Sequence, residues 1–206
     1  MNIISIQRKK GNYYNIYCDD DFIGVFHKNT LLDFKIENQK SYETSHIQKF
    51  KLEGTLRYAK DRALLFLGYR DYSSKELTQK LQKEFSPEIA KKTVENLSEL
   101  GIIDDLKFAK NLARRLIENK NRGFKRVLHE LQLKGIDRET ATQAINSIDF
   151  DSVELILKVI CKKYMNKLNN FESEQKVIAA LLRQGHSYDD IKNAIYTLKQ
   201  KNDNNF

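Results

Sequence analysis

Two adjacent carboxylates, Asp104-Asp105, and a run of three, Asp19-Asp20-Asp21, are the groups in this chain with the plainest chemical potential. Convergent acids hold the divalent ions that cleave phosphodiesters, and hard cations prefer carboxylate oxygens. Neighbours at a helix entrance point in different directions, however. Asp104-Asp105 therefore reads as a helix start with Asp105 as the capping residue, and the triplet reads as a solvated hairpin turn. A magnesium-dependent nuclease acting through Asp104 and Asp105 ranks last among the functions considered. His27, His46, His129 and His186 fall in different elements, and none forms an evident pair with a nucleophile. The chain lacks a Gly-x-x-x-x-Gly-Lys-Ser/Thr loop for nucleotide hydrolysis. Cys18 and Cys161 lie far apart without metal-ligand spacing, so two buried thiols are expected, with no disulfide, metal or other cofactor. No catalytic residue is assigned, and no enzyme is expected.

Charge is more informative. The formal balance is +8 and the isoelectric point about 9.3, which favours an acidic partner. The excess is concentrated: Lys107, Lys110, Arg114, Arg115, Lys120, Arg122, Lys125, Arg126 and Lys134 are interrupted only by the acids Glu118 and Glu130. Lys107, Lys110 and Arg114 recur at intervals of three and four, one face of a helix. Arg122, Lys125 and Arg126 surround a helix start, where the helix dipole disfavours cations by a few tenths of a kcal/mol when exposed. Stability does not account for them. A phosphate backbone or an acidic protein surface does, so all nine bases are expected to contact a partner or DNA.

The elements that carry these side chains follow from a repeat of about fifty residues. Thr55 and Asp105 each open a helix followed by apolar residues at helical spacing. Ser73, Gly123 and Ser173 are expected to cap a second helix in each copy, and Ser73-x-x-Glu76 matches a capping box. Ser86, Asp137 and Ser187 open a third, with Pro87 at its first helical position. The spacing from Ser86 to Asp137 is fifty-one because Glu84-Phe85 replaces Lys134-Gly135-Ile136 at the preceding turn. The connector from Ile148 to Ser173 loses the register, and Asp149, Asp151 and Ser152 compete as the cap of the seventh helix. Residues 199–206, polar except at the end, read as a frayed tail.

Residues before the repeats differ in kind. Ile3–Arg8, Tyr13–Tyr17 and Phe22–Phe26 are rich in β-branched and aromatic residues and predict a three-stranded antiparallel meander. Asn29-Thr30 is expected to cap a short helix, and residues 37–46 to form a polar lead-in. With 40% hydrophobic and 31% charged residues among 206, the chain has material for a core and a solvated surface. No apolar run approaches the roughly 20 residues of a membrane span, and residues 1–8 lack the order of a signal peptide. A cytoplasmic location is expected, with no membrane partner.

Fold class is therefore mainly α: three tandem three-helix repeats in an elongated array, preceded by a small antiparallel β-rich extension. The boundaries expected are 1–44 for the extension, 45–103 for a lead-in helix and first repeat, 104–149 for the basic second repeat, and 150–206 for the third repeat and tail.

The repeat motifs resemble the RecX regulatory proteins, which bind and modulate the bacterial recombinase RecA. The resemblance runs through Ala63-Leu-Leu-Phe-Leu67, Ser73-x-x-Glu76-Leu77-x-x-Lys80-Leu81, Leu97-x-x-Leu100-Gly101-Ile-Ile-Asp104-Asp105-x-x-Phe108-Ala109 and Gly123-x-x-Arg126-Val127-x-x-Glu130-Leu131-x-x-Lys134-Gly135-Ile136. Leu182-Arg183-Gln184-Gly185-His186-Ser187-Tyr188-Asp189-Asp190-Ile191 is similar to the family's closing motif, and the match covers about residues 58–198. Two positions depart from it. Glu84-Phe85 lacks a glycine usual at that turn, and His186 replaces a common phenylalanine; only local adjustment is expected at either.

The resemblance implies a modulator lying along a RecA filament on single-stranded DNA. It would mostly restrain ATP hydrolysis, strand exchange and stimulated repressor cleavage, and so regulate DNA repair, recombination and the SOS response. RecA, single-stranded DNA within the filament and weakly bound free DNA are the implied partners, and the modulator would be a monomer. The competing reading is a helix-turn-helix regulator that recognises one duplex sequence. Its third helices, however, offer mostly Lys91, Lys92, Glu95, Thr142 and Gln143 for base contacts.

Overall fold

Alternation along the first strands decides which face of a small sheet is buried. Ile4, Ile16 and Phe26 are fully buried while Ile3 faces outward, as a period of two requires; Phe22 is turned outward by a bulge in the pairing of the second strand with the third, where Ile16 faces Gly24 and Tyr17 faces Phe22. A computed structural model describes residues 2–168 and 170–203. Its backbone forms two compact units, Met1–Ile103 and Asp104–Phe206.

In the first unit, strands β1 (Asn2–Arg8), β2 (Tyr13–Cys18) and β3 (Asp21–His27) form the expected meander. A fourth strand, β4 (Lys40–Tyr42), pairs antiparallel with β1, giving the order β3-β2-β1-β4. It lies in the stretch expected to be a polar lead-in, and three residues ending in one tyrosine carry no readable alternation. Asp19 and Asp20 adopt positive φ in the β2–β3 turn, and the Ile3 amide donates to Asp19 Oδ1 at 2.8 Å. The acidic triplet is thus a hairpin corner.

Helix α1 (Lys28–Asp33) starts two to three residues earlier than Asn29-Thr30 suggests, because His27 caps it: its Nδ1 accepts from the Asn29 amide at 3.2 Å. Helix α2 (Thr44–Leu67) is 24 residues long. Thr55 is accordingly interior and caps nothing; its hydroxyl donates to the Lys51 carbonyl at 2.6 Å. The helix continues upstream because Ile47, Phe50 and Gly54 extend its buried stripe onto the sheet. Its first half closes a core of Ile4, Ile16, Phe26, Leu31 and Phe50. Its second half joins α3 (Ser74–Leu81) and α4 (Pro87–Glu99) around Ala63, Phe66, Leu77, Val94 and Leu97. Ser73 and Ser86 cap α3 and α4 as expected, with Pro87 in the first turn.

The second unit holds the other two repeats. Helix α5 (Asp105–Arg114) runs into a π-helical turn (Arg115–Asn119), followed by α6 (Phe124–Leu133) and α7 (Arg138–Asn146). Asp104, not Asp105, caps α5, accepting from the Lys107 amide at 2.9 Å. Asp105 is the first helical residue, so the repeat alignment with Thr55 misplaces the cap by one. Then come α8 (Ser152–Lys163), a short 3₁₀ segment (Met165–Lys167), α9 (Phe171–Arg183) and α10 (Tyr188–Asp203).

Asp151 settles the competition at the seventh helix by accepting from the Val153 and Glu154 amides at 2.7 and 3.1 Å. Helix α9 opens a turn before Ser173. Asn170 accepts from both the amide and the hydroxyl of Ser173, each at 2.8 Å. Ser187 does cap the last helix, receiving the Asp190 amide at 3.0 Å. That helix persists to Asp203, so residues 199–203 are not a frayed tail, and Lys199 bonds Glu174 at 2.6 Å; residues 204–206 lie outside the described residues.

Helix α8 serves two cores. Leu155 packs with the second repeat, and Ile156, Val159 and Ile160 pack with the third. Cys18 is half-buried and Cys161 exposed, so the expectation of two buried thiols fails at α8, whose outer face carries Cys161. Among the described residues, no helix is long and apolar enough to cross a membrane.

Gly54 marks the closest approach of α2 to the sheet, since a β-carbon there would lie 2.3 Å from Cδ1 of the buried Phe26 ring. Alanine gains about 1 kcal/mol of helix propensity, but displacing a packed ring costs about 1–3 kcal/mol. Gly54→Ala is expected to lower stability by about 1–2 kcal/mol in urea denaturation; a stabilised variant would show that Phe26 yields freely.

Candidate partner and nucleic-acid interface

The nine bases fall on four segments of the second unit. Ala109, Leu112, Ala113, Leu116 and Ile117 bury one side of α5 and its π-helical continuation. That leaves Lys107 and Arg114 exposed and Lys110 half-buried. Arg115 begins the π turn and Lys120 ends it, both exposed. Arg122 is half-buried in the loop, while Lys125 and Arg126 are exposed in the first turn of α6. Lys134 stands at the far end of that helix, roughly 15 Å away along its axis. The structure thus gathers Arg114 through Arg126 along a turn, a loop and a helix start, and separates Lys134 from them.

The π turn is what sequence reading missed. Its wider coil leads to Asn121 at φ 50°, with the Asn121 and Arg122 amides bonded back to Ile117 and Leu116 at 3.0 Å each. Insertions of this kind commonly mark functional sites, where they re-aim side chains.

Compensation by acids is uneven. Arg114 Nε lies 3.9 Å from Glu118, and Arg126 pairs with Glu130 at 2.6 Å. Both local acids are thereby engaged. Among the described residues, Lys107, Lys110, Arg115, Lys120, Arg122 and Lys125 make no ion pair. A surface of unpaired cations attracts anions, and salt weakens that attraction.

The start of α6 is not itself an anion pocket. Gly123 donates its amide to the Gln184 carbonyl at 3.0 Å, and Lys125 donates to the Gly185 carbonyl at 3.2 Å. The amino end of α6 therefore meets the carboxyl end of α9, each satisfying groups the other leaves open. Neither position has room for a side chain: a β-carbon on Gly123 would sit 2.4 Å from the Gly185 carbonyl, and one on Gly185 2.3 Å from the Arg126 nitrogen. Gly185 also holds φ at +92°. His186 completes this clamp. It is 3% exposed, and its Nε2 lies 3.1 Å from the Asn121 carbonyl. Burial is the main force holding its pKa below the ordinary value; the bond to the Asn121 carbonyl and then Asp190 oppose it, while nearby Arg122 acts with burial. The departure at His186 is thus more than local adjustment, because the ring fastens the third repeat to the basic loop of the second.

Glu84-Phe85 does behave as a local adjustment. The Glu84 and Phe85 amides both bond to Leu81 at 2.9 Å, closing a shorter turn without a positive φ, and Phe85 packs against the core in the place held by Ile136 and His186. The base-reading surface expected of a helix-turn-helix regulator is weakly furnished. Lys91 pairs with Glu95 at 3.7 Å, and the Thr142 hydroxyl donates to the Arg138 carbonyl at 2.7 Å. The four histidines remain dispersed: His27 and His186 act as described, His46 Nε2 lies 3.0 Å from the Phe34 carbonyl, and His129 is exposed on α6.

Family models for the first, second and third three-helix domains of RecX match residues 59–97, 104–145 and 149–195. The chain belongs to the RecX family. It is similar to the regulatory protein RecX of Bacillus subtilis strain 168, with 28% identity over 206 residues, 97% of this chain and 77% of that protein. A crystal structure of a regulatory protein RecX superposes with a TM-score of 0.72 at 23% identity, covering 94% of this chain and 98% of the other. RecX from Lactobacillus salivarius gives a TM-score of 0.64 at 25% identity, over 71% of this chain and 97% of the other. The mainly α fold of three three-helix repeats after a small antiparallel sheet is thus the RecX fold, and a regulatory role comes with the family.

The clamp yields two expectations. Gly185→Ala combines left-handed strain with a backbone clash and is expected to destabilise the second unit by about 2–4 kcal/mol. Hydrogen exchange at the Gly123 and Lys125 amides reads this directly, and unchanged protection would refute it. For His186, a lowered folded pKa means that the unfolded state binds the proton more readily. Its stabilising contribution is therefore complete above the ordinary value of 6.5 and declines as pH falls through that value toward the lower folded one. Protection of the same two amides should fall in that window, and His186→Phe should flatten the dependence.

Proposed function

We propose that this chain binds the RecA filament on single-stranded DNA and lowers its ATP hydrolysis, strand exchange and coprotease activity. In this reading it acts in the cytoplasm as a monomer without catalytic chemistry of its own. Membership of the RecX family supports the regulatory role. The observation that carries the site assignment is the set of unpaired bases on the π turn, the following loop and the start of α6. Arg115, Lys120, Arg122 and Lys125 carry the contact, supported by Lys107 and Lys110 on α5. Arg114 and Arg126 are partly neutralised by Glu118 and Glu130, and Lys134 stands apart, so these three are secondary. Phosphates and acidic RecA side chains are both suitable partners, each weakened by salt.

The test titrates the protein into RecA from the same organism, turning over ATP on single-stranded DNA. The wild-type chain is expected to inhibit at less than one molecule per RecA. Replacing Arg115, Lys120 and Lys125 together by glutamate should raise the required concentration at least about tenfold, with the far-ultraviolet circular dichroism unchanged. If the three touch phosphates, the slope of log affinity against log salt also falls by about 2. Undiminished inhibition by the folded triple variant would remove this surface from the interaction.

A further inference from the structure

A second set of cations and rings lies in the first unit, on elements that the regulatory reading leaves unused. The rings of Phe85, Tyr58, Tyr13 and His27 touch in sequence, with centroids 5.7, 5.4 and 5.2 Å apart, from the turn before α4 across α2 to the strands β2 and β3. A cavity of about 490 Å³ opens beside them, lined by Tyr13, Tyr58, His27, Lys9, Lys10 and the carboxylate of Asp61 among others. That is room for a nucleoside within the range of small-ligand pockets.

The walls are held rather than loose. The Tyr13 hydroxyl donates to Asp61 Oδ2 at 2.8 Å, which fixes the ring between sheet and helix. Burial, then Asp61, pushes that hydroxyl up to about 12, so it stays protonated and keeps donating. His27 Nδ1 is committed to the Asn29 amide. Arg62 also lines the cavity, but Glu84 grips its guanidinium twice, at 2.8 and 2.6 Å. The unspent charge is on the β1–β2 turn. Lys9 and Lys10 are exposed and make no ion pair among the described residues, Arg8 precedes them, and no acid occurs before Asp19. Backbone hydrogen bonds close the turn that carries both lysines next to Tyr13: the Lys9 amide donates to the Tyr13 carbonyl at 3.0 Å, and the Tyr13 amide to the Lys10 carbonyl at 3.1 Å.

Aromatic faces beside unpaired cations match one ligand chemistry well: a base with a π face joined to a phosphate. A peptide would use the rings but leave both lysines unanswered unless it were acidic. We propose that this cleft is a base-stacking site for single-stranded nucleic acid, with one base against Tyr13 and Tyr58 and the adjoining phosphates on Lys9 and Lys10. The site uses none of the residues of the basic second repeat and does not rest on regulation of RecA.

The 206-residue chain carrying the Arg115, Lys120 and Lys125 glutamate substitutions removes the second repeat's contribution to binding. Irradiated with an oligonucleotide containing 5-iododeoxyuridine, it is expected to crosslink through Tyr13 or Tyr58, as read by peptide mass spectrometry. With fluorescein-labelled oligo(dT), adding Lys9→Glu and Lys10→Glu should weaken binding and reduce the salt slope by about 1.4, the value for two phosphates on a single strand. Tyr58→Ala should weaken it roughly 5- to 150-fold, the range for one lost base–aromatic stack. The exposed lysines keep the test valid even if Tyr58→Ala disturbs α2. In the otherwise unsubstituted chain, crosslinks confined to residues 107–134, or oligonucleotide affinity indifferent to the lysines, would overturn the proposal while leaving inhibition of RecA intact. Binding of an acidic peptide without any oligonucleotide would overturn it in favour of a protein ligand. Crosslinking at Tyr58 by a chain that fails to inhibit RecA would sustain it and refute only the regulatory reading.

Discussion

Where neighbouring modules of this chain meet within each unit, backbone touches backbone or ring with no space for a β-carbon. Gly54 lies under Phe26 where α2 joins the sheet, and Gly123 faces Gly185 where the second repeat joins the third. Repeats of about fifty residues bury modest cores and depend on their neighbours for the rest. Close approach maximises what each junction excludes from water. At Gly123 it does more, because the amide donors at the start of α6 and the carbonyls at the end of α9 would otherwise require caps or solvent. One contact answers both needs.

This arrangement constrains how the basic region works. A helix amino terminus with free amides would attract an anion through its own backbone, but here the Gly123 and Lys125 amides are directed into the protein. Any anion met there would be left to the side chains. Glu118 and Glu130 temper two of them, and the π turn interrupts the regular helical placement between Arg114 and Arg122. The outcome is a fringe of guanidinium and ammonium groups mounted on a hydrogen-bonded clamp. Such a fringe suits a repetitive, irregular anionic surface better than a single fixed phosphate.

Much of the fold was legible because caps and apolar stripes are local signals. Ser73, Ser86, Asp137 and Ser187 cap where their types and spacing indicate, and three strands fall where β-branched and aromatic residues cluster. The failures share a physical cause. Thr55, Asp105 and Ser173 were placed by repeat alignment, but caps depend on which nearby side chain reaches the free amides first; Asp104 and Asn170 do so, and at Thr55 no helix begins. Strand β4 is specified by its partner β1 and not by its own pattern. The basic cluster was visible as composition. Its division into paired and unpaired members was not, since Arg114 and Arg115 are adjacent in sequence yet only the former meets Glu118. The π turn departs from the period of about 3.6 residues that sequence reading assumes, and the bond between His186 and Asn121 joins residues 65 positions apart.

The glycine cap of α6 bears on how the chain is made. Among the described residues, the cores of the sheet and of the first repeat draw on residues 4–103. The second repeat draws on residues beyond its own. Gly123 has no side chain with which to satisfy its own helix, and Gln184 and Gly185 leave the ribosome about sixty residues later, several seconds at roughly 5–20 residues per second. During that interval the second repeat's own core holds the loop at Ile117 and Val127, but the Gly123 and Lys125 amides lack their carbonyl acceptors. Vectorial synthesis thus finishes the nascent chain's most highly charged surface last, when the third repeat docks against it.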